Sequence, residues 1–98
     1  VTRRPLAAYR NVRVVAAGKG ALAMAGVVEA ALARRGHTVR GCVTVPHGHA
    51  ATHPRPRRLD VLEAGHPEPD AASVAAAERA LAEATACGAD DLLVVLLS

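Results

Sequence analysis

The sequence predicts an α/β fold: an open, mainly parallel, Rossmann-like sheet of about four strands with flanking helices. Two observations carry that expectation. Short β-branched and aliphatic runs alternate with longer segments whose apolar residues recur at three- and four-residue steps. The last such run, Leu92 to Leu97 (LLVVLL), is apolar at every position, as expected of a strand covered on both faces. Strands alternating with helices are the pattern of βαβ units, whose strands run parallel.

Val12 to Ala17 (VRVVAA) reads as a short buried strand. Gly18-Lys19-Gly20 breaks it, and Ala21 to Arg35 reads as a helix. Leu22, Ala25, Val28 and Leu32 form its apolar stripe. Arg34 and Arg35 suit the negative end of the helix dipole, and Gly36 is placed to stop the helix. Val39 to Val45 (VRGCVTV) reads as a second strand. Pro46 to Arg58 is rich in His, Pro and Arg and reads as an exposed loop. Leu59 to Ala64 (LDVLEA) reads as a third strand. Gly65 to Asp70 forms a turn stiffened by two prolines. Asp70 caps a helix running to about Cys87, with Val74, Ala77, Leu81 and Ala84 expected on its core face. Gly88 ends that helix ahead of Leu92 to Leu97.

Composition bounds the function. The chain of 98 residues is one domain's worth, with an apolar fraction of 51% and a single aromatic residue, Tyr9. A core of Ala, Val and Leu buries little area per residue, so the domain is expected to lean on further chain or on a partner. A homo-oligomer is one way to do so. The net charge of +3 is small and scattered, and Pro54 to Arg58 has no aromatics for base stacking, so no nucleic acid is expected. Cys42 and Cys87 stand far apart, which fits reduced thiols rather than a redox or zinc motif. No apolar run is long enough to cross a membrane, and no signal peptide opens the chain. The expected location is the cytoplasm.

Two turns could carry chemistry. In Gly18-Lys19-Gly20 the glycines allow close approach of a ligand, a helix N-terminus favours an anion, and Lys19 adds a mobile charge. The alternative is a tight turn whose lysine points to solvent. The turn is not a P-loop, and Ala23 stands where the dinucleotide fingerprint needs its third glycine. In the second turn, His66 could bond a hydroxyl or phosphate, and Asp70 could meet a metal or hydroxyl or serve simply as the helix cap. His47, His49 and His53 have the residue type for a metal, with no Cys or acid beside them, and an exposed loop is the competing reading. Ser98 follows the last strand, where open α/β sheets bind ligands.

These segments occur in one order: AGKGALAMA, GCVTVPHGH, VLEAGHPEPD and DDLLVVLLS. Together they resemble the N-terminal region of the glycerate 2-kinases whose C-terminal part is the MOFRL domain. The resemblance runs from about Tyr9 to Ser98. It implies transfer of the γ-phosphoryl of ATP to the 2-hydroxyl of D-glycerate, with Mg2+. It implies that Lys19 is the catalytic lysine. Gly18, Gly20, His66, Asp70 and Ser98 are the implied substrate- or phosphate-binding residues, and no metal ligand is assigned. It further implies that residues 1–98 are an N-terminal fragment, cut before a glycine-rich turn and a second domain and inactive alone. Gly20 stands where the family commonly has alanine, and Pro46-His47 where it often has a basic-aromatic pair. A hydroxypyruvate reductase and a non-catalytic module binding an anionic metabolite are the competing functions.

Overall fold

The computed structural model describes residues 5–51, 54–65 and 70–98. After a single 3-10 turn at Leu6–Ala8, the order is β1 (Asn11–Ala17), α1 (Ala21–Arg34), β2 (Thr38–Pro46), β3 (Leu59–Ala64), α2 (Ala71–Ala86) and β4 (Leu92–Leu97). The four strands form one sheet in the order β3-β2-β1-β4, and every pairing is parallel. The α/β expectation therefore holds, with the predicted strands in place.

Alternation along β1 decides which helix covers which face. Val12, Val14 and Ala16 are buried and pack with Ala21, Leu22, Ala25 and Leu32 of α1. Val39, Val43 and Val45 of β2 join them. This is the apolar core, and it uses the α1 stripe that the sequence predicts. The helix closes as expected too. The Gly36 N–H donates to Ala33 at 3.0 Å and the His37 N–H to Leu32 at 3.2 Å, the paired bonds of a Schellman end.

The other face is docked differently, and here the structure corrects the sequence. Val74 and Leu81, expected on the core face of α2, are 59% and 66% exposed. Ala76 and Glu83 are buried instead. Glu83 accepts a hydrogen bond from Arg13 of β1 at 2.7 Å and one from Arg79 at 3.0 Å. Arg79 also donates to Asp60 of β3 at 2.8 Å and to the Gly41 carbonyl at 3.3 Å. Burial pushes the Glu83 carboxyl up, but the two guanidinium groups outweigh that and hold it below its ordinary value. A polar network, not the Val/Leu stripe, seats α2.

β4 departs from expectation in a second way. Its apolar faces suggest the centre of a sheet, yet it pairs only with β1 among the described residues and lies at the edge. Leu92, Val94 and Leu96 pack on the α1-side core, while Val95 and Leu97 are 55% and 77% exposed on the α2 side.

The long β2–β3 connection is also less free than its composition suggests. Glu29, buried in α1, accepts from the backbone N–H groups of Arg57 and Arg58 at 3.0 and 2.7 Å. Ala50 is buried with the core. A carboxylate under a helix satisfies donors that a loop would otherwise leave to water.

Candidate functional site

Parallel strands deliver all their C-terminal ends to one edge of the sheet. That edge gathers the β1–α1 turn, the start of the β2–β3 connection, the end of β3, the cap of α2 and the residue after β4. Lys19, Asp70 and Ser98 are therefore brought to the same edge from distant sequence positions. His66 and His53 lie outside the described residues.

The first turn is built around Ser98. The Ser98 N–H donates to the Ala17 carbonyl at 3.0 Å, extending the β1–β4 ladder. Its hydroxyl oxygen then accepts from the Gly20 N–H at 2.7 Å, at the N-terminus of α1. Gly18 has φ of +120°, and a Cβ there would stand 2.2 Å from the Ser98 carbonyl oxygen. A Cβ on Gly20 would lie 2.9 Å from the Ser98 hydroxyl oxygen. Both glycines thus make room for the chain itself. Lys19 is exposed between them and, among the described residues, has no hydrogen-bond or ion-pair partner.

The second turn is built around two carboxylates. Asp70 caps α2: its side chain accepts from the Ser73 N–H at 2.9 Å while the Ser73 hydroxyl accepts from the Asp70 N–H at 3.1 Å. The sequence predicts Asp70 as the cap, and the structure completes it as a capping box with Ser73. Asp70 also accepts from the Gly65 N–H at 3.0 Å and bonds His47 Nε2 at 2.8 Å. Glu63 accepts from the Ala50 and Gly48 N–H groups at 3.0 and 3.1 Å. The two acids hold the β2–β3 connection against the end of β3 and the start of α2. The Glu63 role is invisible in one dimension, because its partners stand 13 and 15 residues away and are backbone. Between the turns lies a shallow depression lined by Ala17, Gly18, Thr44, Val45, Pro46, Ala64 and Gly65.

Donors surround both acids and favour their ionised forms. Asp70 is held well below the usual carboxylate range, first by His47 and then by the Gly65 and Ser73 N–H groups. Glu63 is lowered chiefly by the Ala50 and Gly48 N–H groups. A carboxyl whose folded pKa is depressed adds stability in full above its unfolded pKa, and that contribution fades as pH falls toward the folded value. Thermal unfolding followed below about pH 4 is therefore expected to show a steeper acid limb for the native chain than for Asp70→Asn. Parallel acid limbs would remove Asp70 from this linkage.

Among the described residues, no group of three or more His, Cys, Asp or Glu side chains could hold a metal ion. His47 is engaged by Asp70. No helix among the described residues is long and apolar enough to cross a membrane.

Comparison with known proteins sets this edge in a family. Over 85 residues the chain is 42% identical to a protein of Agrobacterium vitis named "Putative hydroxypyruvate reductase", covering 87% of this chain and 18% of that protein. A second protein of the same name and organism is 36% identical over 85 residues, with 21% of its length covered. The chain thus spans about a fifth of the curated relatives it matches. The crystal structure of the PH0495 protein from Pyrococcus horikoshii OT3 is similar with a TM-score of 0.71 and 28% identity, over 87% of this chain and 18% of that one. A family model matches residues 2–98, and the chain belongs to that family, described as Domain of unknown function (DUF4147).

Proposed function

We propose that this chain contributes part of the active-site cleft of an enzyme of glycerate metabolism. In our reading the enzyme transfers the γ-phosphoryl group of ATP to the 2-hydroxyl of D-glycerate. The observation that carries this reading is the β1–α1 turn. A dinucleotide enzyme of the Rossmann type sets its pyrophosphate on the N–H groups of that turn. Here the Gly20 N–H is already bonded to the Ser98 hydroxyl, and a Cβ on either glycine would meet Ser98. What the turn presents outward is a lysine, a mobile cation at a helix N-terminus. Phosphoryl transfer asks the protein mainly for positioning and positive charge. The resemblance to glycerate 2-kinases in AGKGALAMA and VLEAGHPEPD supports the same reading.

In this scheme Lys19 meets the transferred phosphoryl group or the glycerate carboxylate. Gly18, Gly20 and Ser98 fix the turn beneath it. Asp70 has both oxygens engaged by its own chain, so its part is to hold the end of β3 against the start of α2, and the role of His66 in binding substrate or phosphate rests on the resemblance alone. Mg2+ would neutralise charge on the nucleotide phosphates. The described residues offer no carboxylate cluster for it, so the nucleotide and cation fall mainly to other parts of a longer polypeptide.

The names of the curated relatives favour a second reading, reduction of hydroxypyruvate. The two readings separate in one assay of the whole polypeptide carrying these residues. With ATP, Mg2+ and D-glycerate, formation of a phosphoglycerate is expected, and with NADH or NADPH and hydroxypyruvate no turnover is expected. Nicotinamide oxidation without phosphorylation would replace the kinase reading by the reductase one. Absence of both activities, with retained binding of D-glycerate, would leave a non-catalytic anion-binding module.

A further inference from the structure

One ring at the C-terminal edge of the sheet makes a bond that the helix cap does not need. The Asp70 oxygen Oδ1 completes the cap of α2 by itself, accepting from the Ser73 N–H, the Ser73 hydroxyl and the Gly65 N–H. Oδ2 is given over to His47, whose Nε2 lies 2.8 Å away. The two side chains are 53% and 43% exposed, and an ion pair so open to water adds little stability. The backbone beneath the ring is held too. The His47 N–H donates to the Ala64 carbonyl at 3.1 Å, one step past the end of β2. The His49 N–H then donates to the Pro46 carbonyl at 3.0 Å, closing a turn through Gly48, whose φ is +85°.

An imidazole held by a carboxylate has a set tautomer. Donors on every side keep Asp70 ionised, so in the neutral ring Nε2 carries the proton and Nδ1 keeps the lone pair. Among the described residues Nδ1 has no partner. Other groups at this edge are poorer proton acceptors. Lys19 brings a positive charge, Asp70 is spent on its donors, and the Ser98 hydroxyl oxygen is bonded to the Gly20 N–H. The Ala50 and Gly48 N–H groups hold Glu63 below its ordinary value, which weakens it as a base. Position agrees with chemistry. Gly18, Pro46 and Gly65 line the depression, so Lys19 and His47 each stand one residue from its wall, and Asp70 is bonded to it through Gly65.

We propose, on the kinase reading above, that His47 is the general base that takes the proton of the glycerate 2-hydroxyl, with Asp70 as its positioning residue. The hydroxyl O–H bond breaks and its proton passes to His47 Nδ1 as the oxygen forms its bond to the γ-phosphorus. The bond from that phosphorus to the β–γ bridging oxygen breaks, and its electron pair leaves with ADP. His47 then returns the proton to water. Imidazole is the side chain enzymes use most often for this task. Pro46-His47 departs from the basic-aromatic pair frequent in the resembling family, so this base belongs to chains with histidine at this place.

The test follows phosphoryl transfer in a single turnover of the whole polypeptide carrying these residues, at saturating ATP, Mg2+ and D-glycerate. His47→Gln keeps a donor for Asp70 and removes the base. It is expected to slow transfer by about a hundredfold or more, while thermal unfolding stays native. His47→Gly is expected to be as slow and to regain about tenfold or more with added imidazole, a recovery that a purely structural role would not give. His47→Gln alone carries the test if His47→Gly does not fold. Transfer by His47→Gln above about a tenth of the native rate, or a folded His47→Gly that imidazole does not accelerate, would overturn the base and leave the kinase reading standing. A native enzyme that makes no phosphoglycerate from D-glycerate would overturn the kinase reading and the base together.

Discussion

On the proposed kinase reading, replacing Lys19 by alanine in the whole polypeptide is expected to lower kcat/KM for D-glycerate by about a hundred- to a thousandfold. Thermal unfolding should stay nearly unchanged, since a surface substitution away from special features shifts stability by only about 0.5 kcal/mol. The structure separates these two effects. Lys19 is exposed and unpartnered among the described residues, while the bonds that shape its turn run through Gly20, Ala17 and Ser98. Removing the side chain takes away a charge and leaves the turn intact. Where that charge is felt decides which constant moves. A lysine that stabilises the phosphoryl group only in flight lowers kcat, whereas one that holds the glycerate carboxylate in the ground state raises KM with kcat retained. Arginine restores charge without the compact ammonium, so Lys19→Arg should recover only part of the activity. A kcat/KM within about threefold of the native enzyme for Lys19→Ala would remove Lys19 from the reaction.

Much of this architecture is legible in the sequence, because β1, β2, α1 and the cap of α2 follow local rules. β1 and β2 alternate, α1 carries an apolar stripe, and Asp70 precedes its helix in the position a cap requires. The miss on α2 has a definite cause. Pattern reading assigns the most apolar stripe to the core, and Val74 and Leu81 are the large apolar residues of that helix. The neighbouring sheet face, however, carries Arg13, and Arg13 needs Glu83. Burying an unpaired guanidinium costs more than exposing two aliphatic side chains, so the charged flank goes inward. β4 shows the converse. Its faces are both apolar, as the sequence says, but whether an apolar face is covered depends on what packs beside it. Glu29 and Glu63 are legible only in three dimensions, since each binds backbone groups of a distant segment whose own side chains play no part. The site inherits this division. Lys19 and Asp70 stand out by local context, whereas the closure of the first turn by Ser98 spans 78 residues and follows only from the parallel pairing of β1 with β4.

That same pairing logic identifies the position where a single methyl group should do the most damage to the fold. Gly41 sits mid-strand in β2, paired with Val14 of β1. Its φ is +147°, and a Cβ there would stand 1.8 Å from the Val14 carbonyl oxygen and 2.9 Å from the Val14 nitrogen. The obstacle is backbone of the central strand, which cannot rotate aside as a side chain could. Gly41→Ala must either push β1 and β2 apart or return residue 41 to ordinary strand geometry. Either course disturbs the Arg79 bond to the residue 41 carbonyl and with it the network seating α2. Backbone strain of about 1–3 kcal/mol and overpacking of about 1–3 kcal/mol add to a loss of roughly 2–6 kcal/mol. A domain of this size is stabilised by about 5–10 kcal/mol, so the variant should sit near the edge of folding. At about 4–8 °C per kcal/mol, Tm is expected to fall by at least about 8 °C. Gly26→Ala supplies the control, because Gly26 lies within α1 with nothing inside 4 Å of its added Cβ. There the methyl group meets no backbone, and the gain in helix propensity should raise stability by about 1 kcal/mol. Opposite signs at the two positions would locate the constraint in the β1–β2 contact. A Tm for Gly41→Ala matching the native chain would show that β2 can relax past Val14, and the tight pairing of the central strands would then not be what holds this sheet together.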